Sequence, residues 1–362
     1  MTTENRLSIR QICFILTAYN AVSKILIYPT NMAYTCANDL LFPMLVCALV
    51  QGVIVAFICG ISARTDKTLF QILADKIGEK FTRAIFFLLA LYFLFSALYP
   101  ALEQKIYVHD VFYETIPSLF VFMPFFAFSI YAGAKKFNNA GRCADVCMPI
   151  FAVIIFALII MGFSECDLTN LLPILSTPAN KLISGVFASV FRFSDSAFVL
   201  LFLGHFKYKK GDVIKLVSAY SLGSFLVLLI SAIFYGIFGP IAPNTFFAIS
   251  KIGMFFSAIN LVGRIDIMAL YILEIVMLFA LVLNVQACVY CLEKALNIKN
   301  THILSIASNA ILIVLTIFLD ATYDGVQNFY LSWAWIVSLS FAYVLPLVVR
   351  SFTRGKKICK NS

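Results

Sequence analysis

Long apolar runs recur along this chain with short polar interruptions between them. Ten of these runs approach the twenty or so residues needed to cross about 30 Å of hydrocarbon. They lie roughly at 11–34, 41–62, 84–107, 117–134, 145–163, 182–204, 213–236, 266–290, 301–319 and 330–349. Such a pattern predicts an all-α polytopic membrane protein, and with short connections and no hydrophilic block it reads as a single transmembrane domain over residues 1–362. Segment 245–262 is also apolar, but Lys251 interrupts it. It is expected to form an external loop with short helices, opened by Gly239-Pro240-Ile241-Ala242-Pro243. Residues 68–81 are amphipathic and read either as a surface helix in the headgroup region or as a gate. The ten runs divide into two sets of five, about 8–163 and about 182–350, and the first and sixth are interrupted near their middles. Interruptions at matching places in two halves that run in opposite directions predict two inverted five-helix repeats with discontinuous first and sixth helices.

The interruptions are charges: Lys24 in the first run, Arg192 with Asp195 in the sixth. An ionisable side chain at membrane depth costs several kcal/mol unless it faces a partner or a water-filled cavity, so these positions are candidate functional sites. Lys24 lies roughly 21 Å along a helix from Arg10 at 1.5 Å per residue, which is near the bilayer centre. Asn20 and Ser23 stand beside it and can bond backbone groups where the helix loosens before Pro29. Arg192 and Asp195 are three apart and share one helix face, while Glu274 sits well inside the eighth run. In the third run Ser96, Tyr99 and Glu103 form a polar stripe on one face that fits the wall of a ligand cavity; Glu103, nearer the outer end, reads either as part of that binding site or as hydrated from outside. Lys24, Arg192, Asp195 and Glu274 sum to zero charge. They read either as a buried ion network that holds helices together or as a pocket whose cation and carboxylate meet a zwitterionic ligand. Asn284 and Gln286 are expected to bond between helices.

Composition closes off other classes. With 62% apolar residues, 12% charged residues and a mean hydropathy of +0.95, the chain cannot be a water-soluble domain. A net charge of +9 would suit a nucleic-acid binder, but its distribution argues otherwise. Twenty-one basic residues fall on the side shared by both termini, against four opposite: Lys105, Lys181, Lys251 and Arg264. The positive-inside rule therefore makes the termini cytoplasmic and leaves no nucleic-acid partner to invoke. The ten cysteines are scattered; Cys288 and Cys291 have the spacing of half a metal site but no second pair, so no metal is expected. Cys36 and Cys166 both fall on the outer side, where they can pair. His109, His205 and His302 lie at run edges, and neither a nucleophile motif nor a phosphate-binding glycine loop appears, so neither an enzyme nor a cofactor is expected.

A succession of short motifs marks the chain from end to end. Leu7-Ser8-Ile9-Arg10-Gln11 opens into the first run, followed by Ser23-Lys24-Ile25-Leu26-Ile27-Tyr28-Pro29. Ile116-Pro117, Tyr131, Arg142 with Asp145, Pro149-Ile150 and Asn170-Leu171-Leu172-Pro173 follow, and Arg264-Ile265-Asp266 and Leu345-Pro346-Leu347 close the series. In order and spacing these motifs resemble the spore germination permeases, the membrane-embedded B subunits of germinant receptors. The resemblance implies ten helices in the fold of amino acid/polyamine/organocation transporters, with a ligand pocket between the first, third, sixth and eighth spans. It further implies a receptor subunit that binds a small amino acid or similar zwitterion and works with other receptor subunits in the spore inner membrane. The alternative is a permease that moves this ligand across the membrane. The chain departs from the family pattern in carrying Val22 and Lys24 where a glycine and a small residue are usual. In Phe191-Arg192-Phe193-Ser194-Asp195 the acid is kept, but Arg192 is foreign.

The charge distribution generates the first prediction. In a background without reactive native cysteines, a cysteine placed at Lys360 should react with an impermeant thiol reagent only after the membrane is opened, and one placed in the 165–180 loop should react in intact cells. Labelling of the tail from outside would overturn the ten-span topology.

Overall fold

The computed structural model describes residues 7–112, 115–255 and 265–353, and among these every regular element is a helix. The end of the expected external loop with Arg264, and the basic tail from residue 354, lie outside the described residues. In chain order the α-helices are α1 (Ile9–Val22), α2 (Tyr28–Cys36), α3 (Leu41–Ser62), α4 (Leu69–Ile77), α5 (Glu79–Phe112), α6 (Ser118–Gly133), α7 (Phe137–Ser164) and α8 (Ala179–Arg192). They continue with α9 (Ser196–Leu201), α10 (Asp212–Phe238), α11 (Ala248–Phe255), α12 (Ile265–Leu296), α13 (Thr301–Asp320), α14 (Tyr323–Ser332), α15 (Ala334–Ser338) and α16 (Leu345–Phe352). A π-helical turn, Leu339–Val344, joins the last two.

Among the described residues, eight stretches are long and apolar enough to cross a bilayer: Leu41–Ser62, Glu79–Val111, Phe137–Ser164, Ala179–Leu201, Asp212–Asn244, Leu273–Leu296, Thr301–Asp320 and Ala334–Phe352. Two shorter apolar helices, α1 and α6, join them. The chain is thus a multi-pass membrane protein. Its outer faces agree: along α7, Val153, Phe156 and Ile160 recur at helical spacing and are all exposed, a stripe that would be a liability in water and suits lipid. Inside, α5 lies along α12, and α1 packs against both α10 and α7.

The first and sixth runs are each split, and neither split needs glycine. In α1 the Ser23 hydroxyl donates back to Tyr19 O at 2.8 Å and the Lys24 ammonium to Asn20 O at 2.8 Å. These side chains take carbonyls of the final turn that would otherwise bond the next amides, so the helix ends at Val22. Pro29, in the first turn of α2, restarts it with the dihedral the helix requires. The entry to α1 is fixed by a capping box in which Ser8 and Gln11 bond each other's backbone amides. In the sixth run α8 stops at Arg192 and α9 begins at Ser196; Ser194 Oγ donates to Phe191 O at 2.7 Å and the Tyr343 hydroxyl to Phe193 O at 2.7 Å. Carbonyls freed at membrane depth are thereby bonded by protein groups.

Several expectations are refined. The third run continues as helix to Phe112, well beyond the expected end at 107, and the fifth begins at Phe137 rather than 145. The connection expected to lie outside carries a 3-10 segment, Gly239–Asn244, and α11, while α14 is an additional helix. Cys36 and Cys166 are free thiols, so the possible disulfide is absent; their sulfurs instead pack where Gly185 and Gly236 lack side chains. Outside the spans Asp39 accepts from Thr177 N at 2.8 Å. Burial pushes its carboxyl up, but the amides of Thr177 and Leu175 outweigh this and hold it below the usual range, which keeps the charge that ties residues 175–177 to the end of α2.

The amphipathic α4 seats on the turn after α9, where Gly204 adopts φ +77° and a Cβ would stand 2.7 Å from Thr68 N. Gly204→Ala should therefore lower stability by about 1–3 kcal/mol. Gly60→Ala, with nothing within 4 Å of the new atom, should be neutral or stabilising by up to about 1 kcal/mol. Thermal unfolding of both variants in detergent checks the contrast.

Candidate ligand-binding site

The two splits face each other across the bundle, and the charges within them meet. Lys24 Nζ lies 2.9 and 3.0 Å from the two oxygens of Asp195, 2.8 Å from Asn20 Oδ1 and 5.0 Å from the centre of the Phe193 ring. Both partners are sealed from solvent, with Lys24 at 0% and Asp195 at 2% exposure. An ammonium carries three donors, and here Asn20 O, Asn20 Oδ1 and Asp195 take them all. Asn20 is itself fixed by donating to Tyr220 O at 2.9 Å and Ser224 Oγ at 2.8 Å on α10. That contact is possible because Gly223 lets α1 approach: a Cβ there would stand 3.0 Å from Asn20 Nδ2. Asp195 occupies the N-cap position of α9 without capping it, its carboxylate being turned to Lys24 instead.

Arg192 forms the second pair. Its guanidinium donates to Ser23 O at 3.1 Å and to Glu103, and stacks on the Tyr99 ring at 4.5 Å. Each split is thus bonded by a residue of the other: Arg192 holds a carbonyl freed in the first run, and Lys24 neutralises the acid of the second. Of the two readings of Glu103, external hydration fails: the residue is 3% exposed and salt-bridged. The reason is helix length, since α5 runs nine residues beyond Glu103 and carries it into the bundle. Glu274, expected beside the other charges, meets neither cation. It is buried on α12, and neither of its oxygens has a hydrogen-bond partner among the described residues.

The remaining expected residues fall around the two pairs. Ser23 contributes its carbonyl and Ser194 closes the end of α8. Tyr99 carries Arg192, and Ser96 is buried one turn along the same helix with its hydroxyl unpartnered among the described residues. Asn284 and Gln286 bond between helices, to Tyr19 and to Ala132 O.

Aromatic residues close the site on both sides. Above Arg192, Tyr99, Tyr330 and Phe95 are stacked with centroids 4.5 and 4.4 Å apart, and Asn31 links Tyr99 to Gln327. Toward the end carrying the basic connections, Tyr19 stacks on Phe198 at 5.0 Å, and Phe198, Phe202, Phe137 and Tyr290 form a plug with neighbouring centroids 5.0 to 5.5 Å apart. Tyr330, Gln327 and Tyr343 were not identified from sequence: an aromatic or amide next to apolar runs carries no mark of what it stacks on or bonds.

The model of a family described as spore germination protein matches residues 6–324 of the chain. Among curated proteins the sequence has no significant match. Among solved structures, MhsT in complex with L-phenylalanine shares 13% identity at a TM-score of 0.61, the match covering 94% of this chain and 97% of that one. A mutant of the Eremococcus coleocola manganese transporter shares 12% identity at a TM-score of 0.58, with 93% and 78% covered. The same transporter in complex with an aromatic bis-isothiourea compound also shares 12%, at 0.55, with 97% and 81% covered. At these identities the likeness is one of fold.

Removing one member of a buried pair strands the other charge, at a cost of about 3–5 kcal/mol. Lys24→Ala and Asp195→Asn should each destabilise on that scale, and the double variant should lose less than either alone. A double-mutant cycle by thermal unfolding measures the coupling, and additive losses would mean that the two charges do not support each other.

Proposed function

The chain belongs to the spore germination protein family, and on that premise we propose that it is the membrane-embedded subunit of a nutrient germinant receptor. It binds a small amino acid or similar zwitterion between its two split helices and passes the signal to other receptor subunits in the spore inner membrane. Ten spans support this arrangement. At 14 residues α1 rises about 21 Å and crosses only together with α2. The split α8–α9 unit then occupies the matching place in a second, inverted set of five, with repeats at about 8–163 and 182–350 inside one domain and both termini cytoplasmic.

The observation that carries the reading is the exchangeability of the pairs. Lys24, Asp195, Arg192 and Glu103 form two neutral pairs, each joining one half of the chain to the other. A zwitterion can enter such a network without stranding a charge, its carboxylate taking a cation and its ammonium an acid. Donor counting favours the outer pair for this exchange. Lys24 has no donor to spare, whereas the Arg192 fork has five and among the described residues engages Ser23 O and Glu103. On this reading Arg192 receives the ligand carboxylate and Glu103 its ammonium under the Tyr99–Tyr330 stack, while Lys24–Asp195 holds the splits together. A neutral sugar would have no use for this arrangement.

The fold shared with MhsT and the manganese transporter favours a second reading, a permease that moves the same ligand across the membrane. Both readings need one pocket, and neither assigns the chain a catalytic step. Sensing needs differential binding to two conformations, and transport needs release on the far side.

Titrating purified protein with L-amino acids should raise its thermal stability. The matching amides and N-acetyl derivatives should stabilise at least about tenfold more weakly, the loss of one charge-assisted hydrogen bond. If blocking either end leaves the stabilisation unchanged, the two-charge pocket is wrong. Labelled uptake into proteoliposomes, with and without partner subunits, separates the permease from the receptor.

A further inference from the structure

Apart from the paired charges at mid-depth, the bundle holds a cavity of about 420 Å³ at the end where its basic connections gather, a volume typical of small-molecule sites. Its walls are the last turns of α6 and α12 and the first turns of α7 and α13. They are pinned together: Gln286 donates to Ala132 O at 2.8 Å, Thr301 to Ala134 O at 3.0 Å and Ser305 to Ile130 O at 2.8 Å. The cavity is therefore preformed rather than a gap between loose side chains.

Its charge is one-sided. Lys135, Lys136, Lys294 and Lys299 line it against a single acid, Glu293, which Lys294 already pairs at 2.9 Å. Lys135 leans on the exposed Tyr131 ring at 4.4 Å, an aromatic placed where headgroups would lie. His205 reports the same field: burial, and then Lys294, hold its imidazole below the ordinary value, so it lines the cavity uncharged near neutral pH. Two further features ask for a ligand. No side chain caps the start of α7, where Lys136, Phe137 and Asn138 line the cavity; the Asn139 amide bonds Lys136 O at 2.9 Å, which leaves the amides of Phe137 and Asn138 at the positive end of a 28-residue helix. Gln286, 5% exposed, commits its amide nitrogen to Ala132 and leaves its carbonyl oxygen without a partner among the described residues, an acceptor that suits a hydroxyl of a sugar or glycerol rather than the phosphate itself.

We propose that this cavity binds the phosphate group of an anionic phosphate ester at the basic end of the bundle. The phosphate sits at the start of α7 between Lys136 and Lys299, charge-assisted hydrogen bonds from the lysines adding to the helix amides. The ester comes either from an acidic phospholipid headgroup at the membrane edge or from a soluble sugar or glycerol phosphate. This site is separate from the zwitterion pocket and stands or falls independently of it. A general excess of lysine on this side follows from topology alone, so the test must distinguish a site from a surface potential.

Purified full-length protein is titrated with glycerol phosphate, with sulfate as a competitor, and is also reconstituted into nanodiscs of phosphatidylcholine with and without phosphatidylglycerol; thermal stability is read in each case. The expected result is saturable stabilisation, weakened about tenfold in Lys136→Gln/Lys299→Gln, the scale of one lost charge-assisted bond. It should be unchanged in Lys209→Gln/Lys210→Gln, which removes equal charge from exposed positions on the same end outside the cavity. Saturation by glycerol phosphate assigns a soluble source, and stabilisation by phosphatidylglycerol alone assigns the lipid. Equal loss in the two double variants, or no saturable effect of either source on the wild-type protein, would overturn the site.

Discussion

A charge buried in hydrocarbon must find its opposite, and in this chain that requirement is met between elements far apart in sequence. Lys24 and Asp195 are 171 residues apart, and Arg192 reaches back 169 residues to the Ser23 carbonyl. Neither half can therefore hold its own split helix at the observed depth: the first run ends because Lys24 and Ser23 take its carbonyls, and Lys24 is tolerated there only because Asp195 neutralises it. Remove the acid and the ammonium becomes an isolated buried cation; remove the ammonium and an aspartate stands unpaired at mid-depth. The helix ends, the approach of α1 to α10 at Gly223 and the aromatic layers on either side are arranged around that contact.

How much of this could be read in the sequence depended on whether a property is local. Charges inside apolar runs are local, so Lys24, Arg192 and Asp195 stood out, and the membrane class followed from composition. Partnership is not local. Sequence leaves Glu103 open between the pocket and external hydration because a run expected to end at 107 puts it near the outer end, and the helix in fact continues to Phe112. Glu274 was grouped with the other charges because its position in the eighth run suggested the same depth, but depth along a helix does not say which way the side chain faces. The first split also lacks the glycine that the family pattern suggests. Its cause is a pair of side-chain bonds from Ser23 and Lys24 to the preceding turn, which no periodicity reveals. α14 escaped notice because Tyr323–Ser332 mixes polar and aromatic residues without an apolar stripe, yet it delivers Tyr330 onto Tyr99.

The likeness to solved transporters extends over more than nine-tenths of the chain at 12–13% identity, so what persists is backbone path rather than side-chain chemistry. A fold that splits two helices at mid-depth supplies unbonded backbone groups there, and different chains can bond them in different ways. Here Arg192, Tyr343 and Ser194 each cap a freed carbonyl, and the backbone amide of Ala248 does the same for Leu26 O at 2.8 Å. A split with its carbonyls already occupied by protein groups is stiffer than one left to solvent. Such stiffness suits a protein that must stay in one state until a ligand arrives.

The neutrality of the two ion pairs has an electrical consequence. Moving one elementary charge through the membrane field changes its energy by about 2.3 kcal/mol per 100 mV, enough to bias a conformational equilibrium strongly. Lys24 with Asp195, and Arg192 with Glu103, shift as dipoles of zero net charge, and a zwitterion added to them leaves the sum unchanged. A rearrangement built on such pairs displaces almost no gating charge. On the proposed function, the balance of such a rearrangement is set by ligand and packing and depends little on whether the membrane is fully energised or has lost its potential.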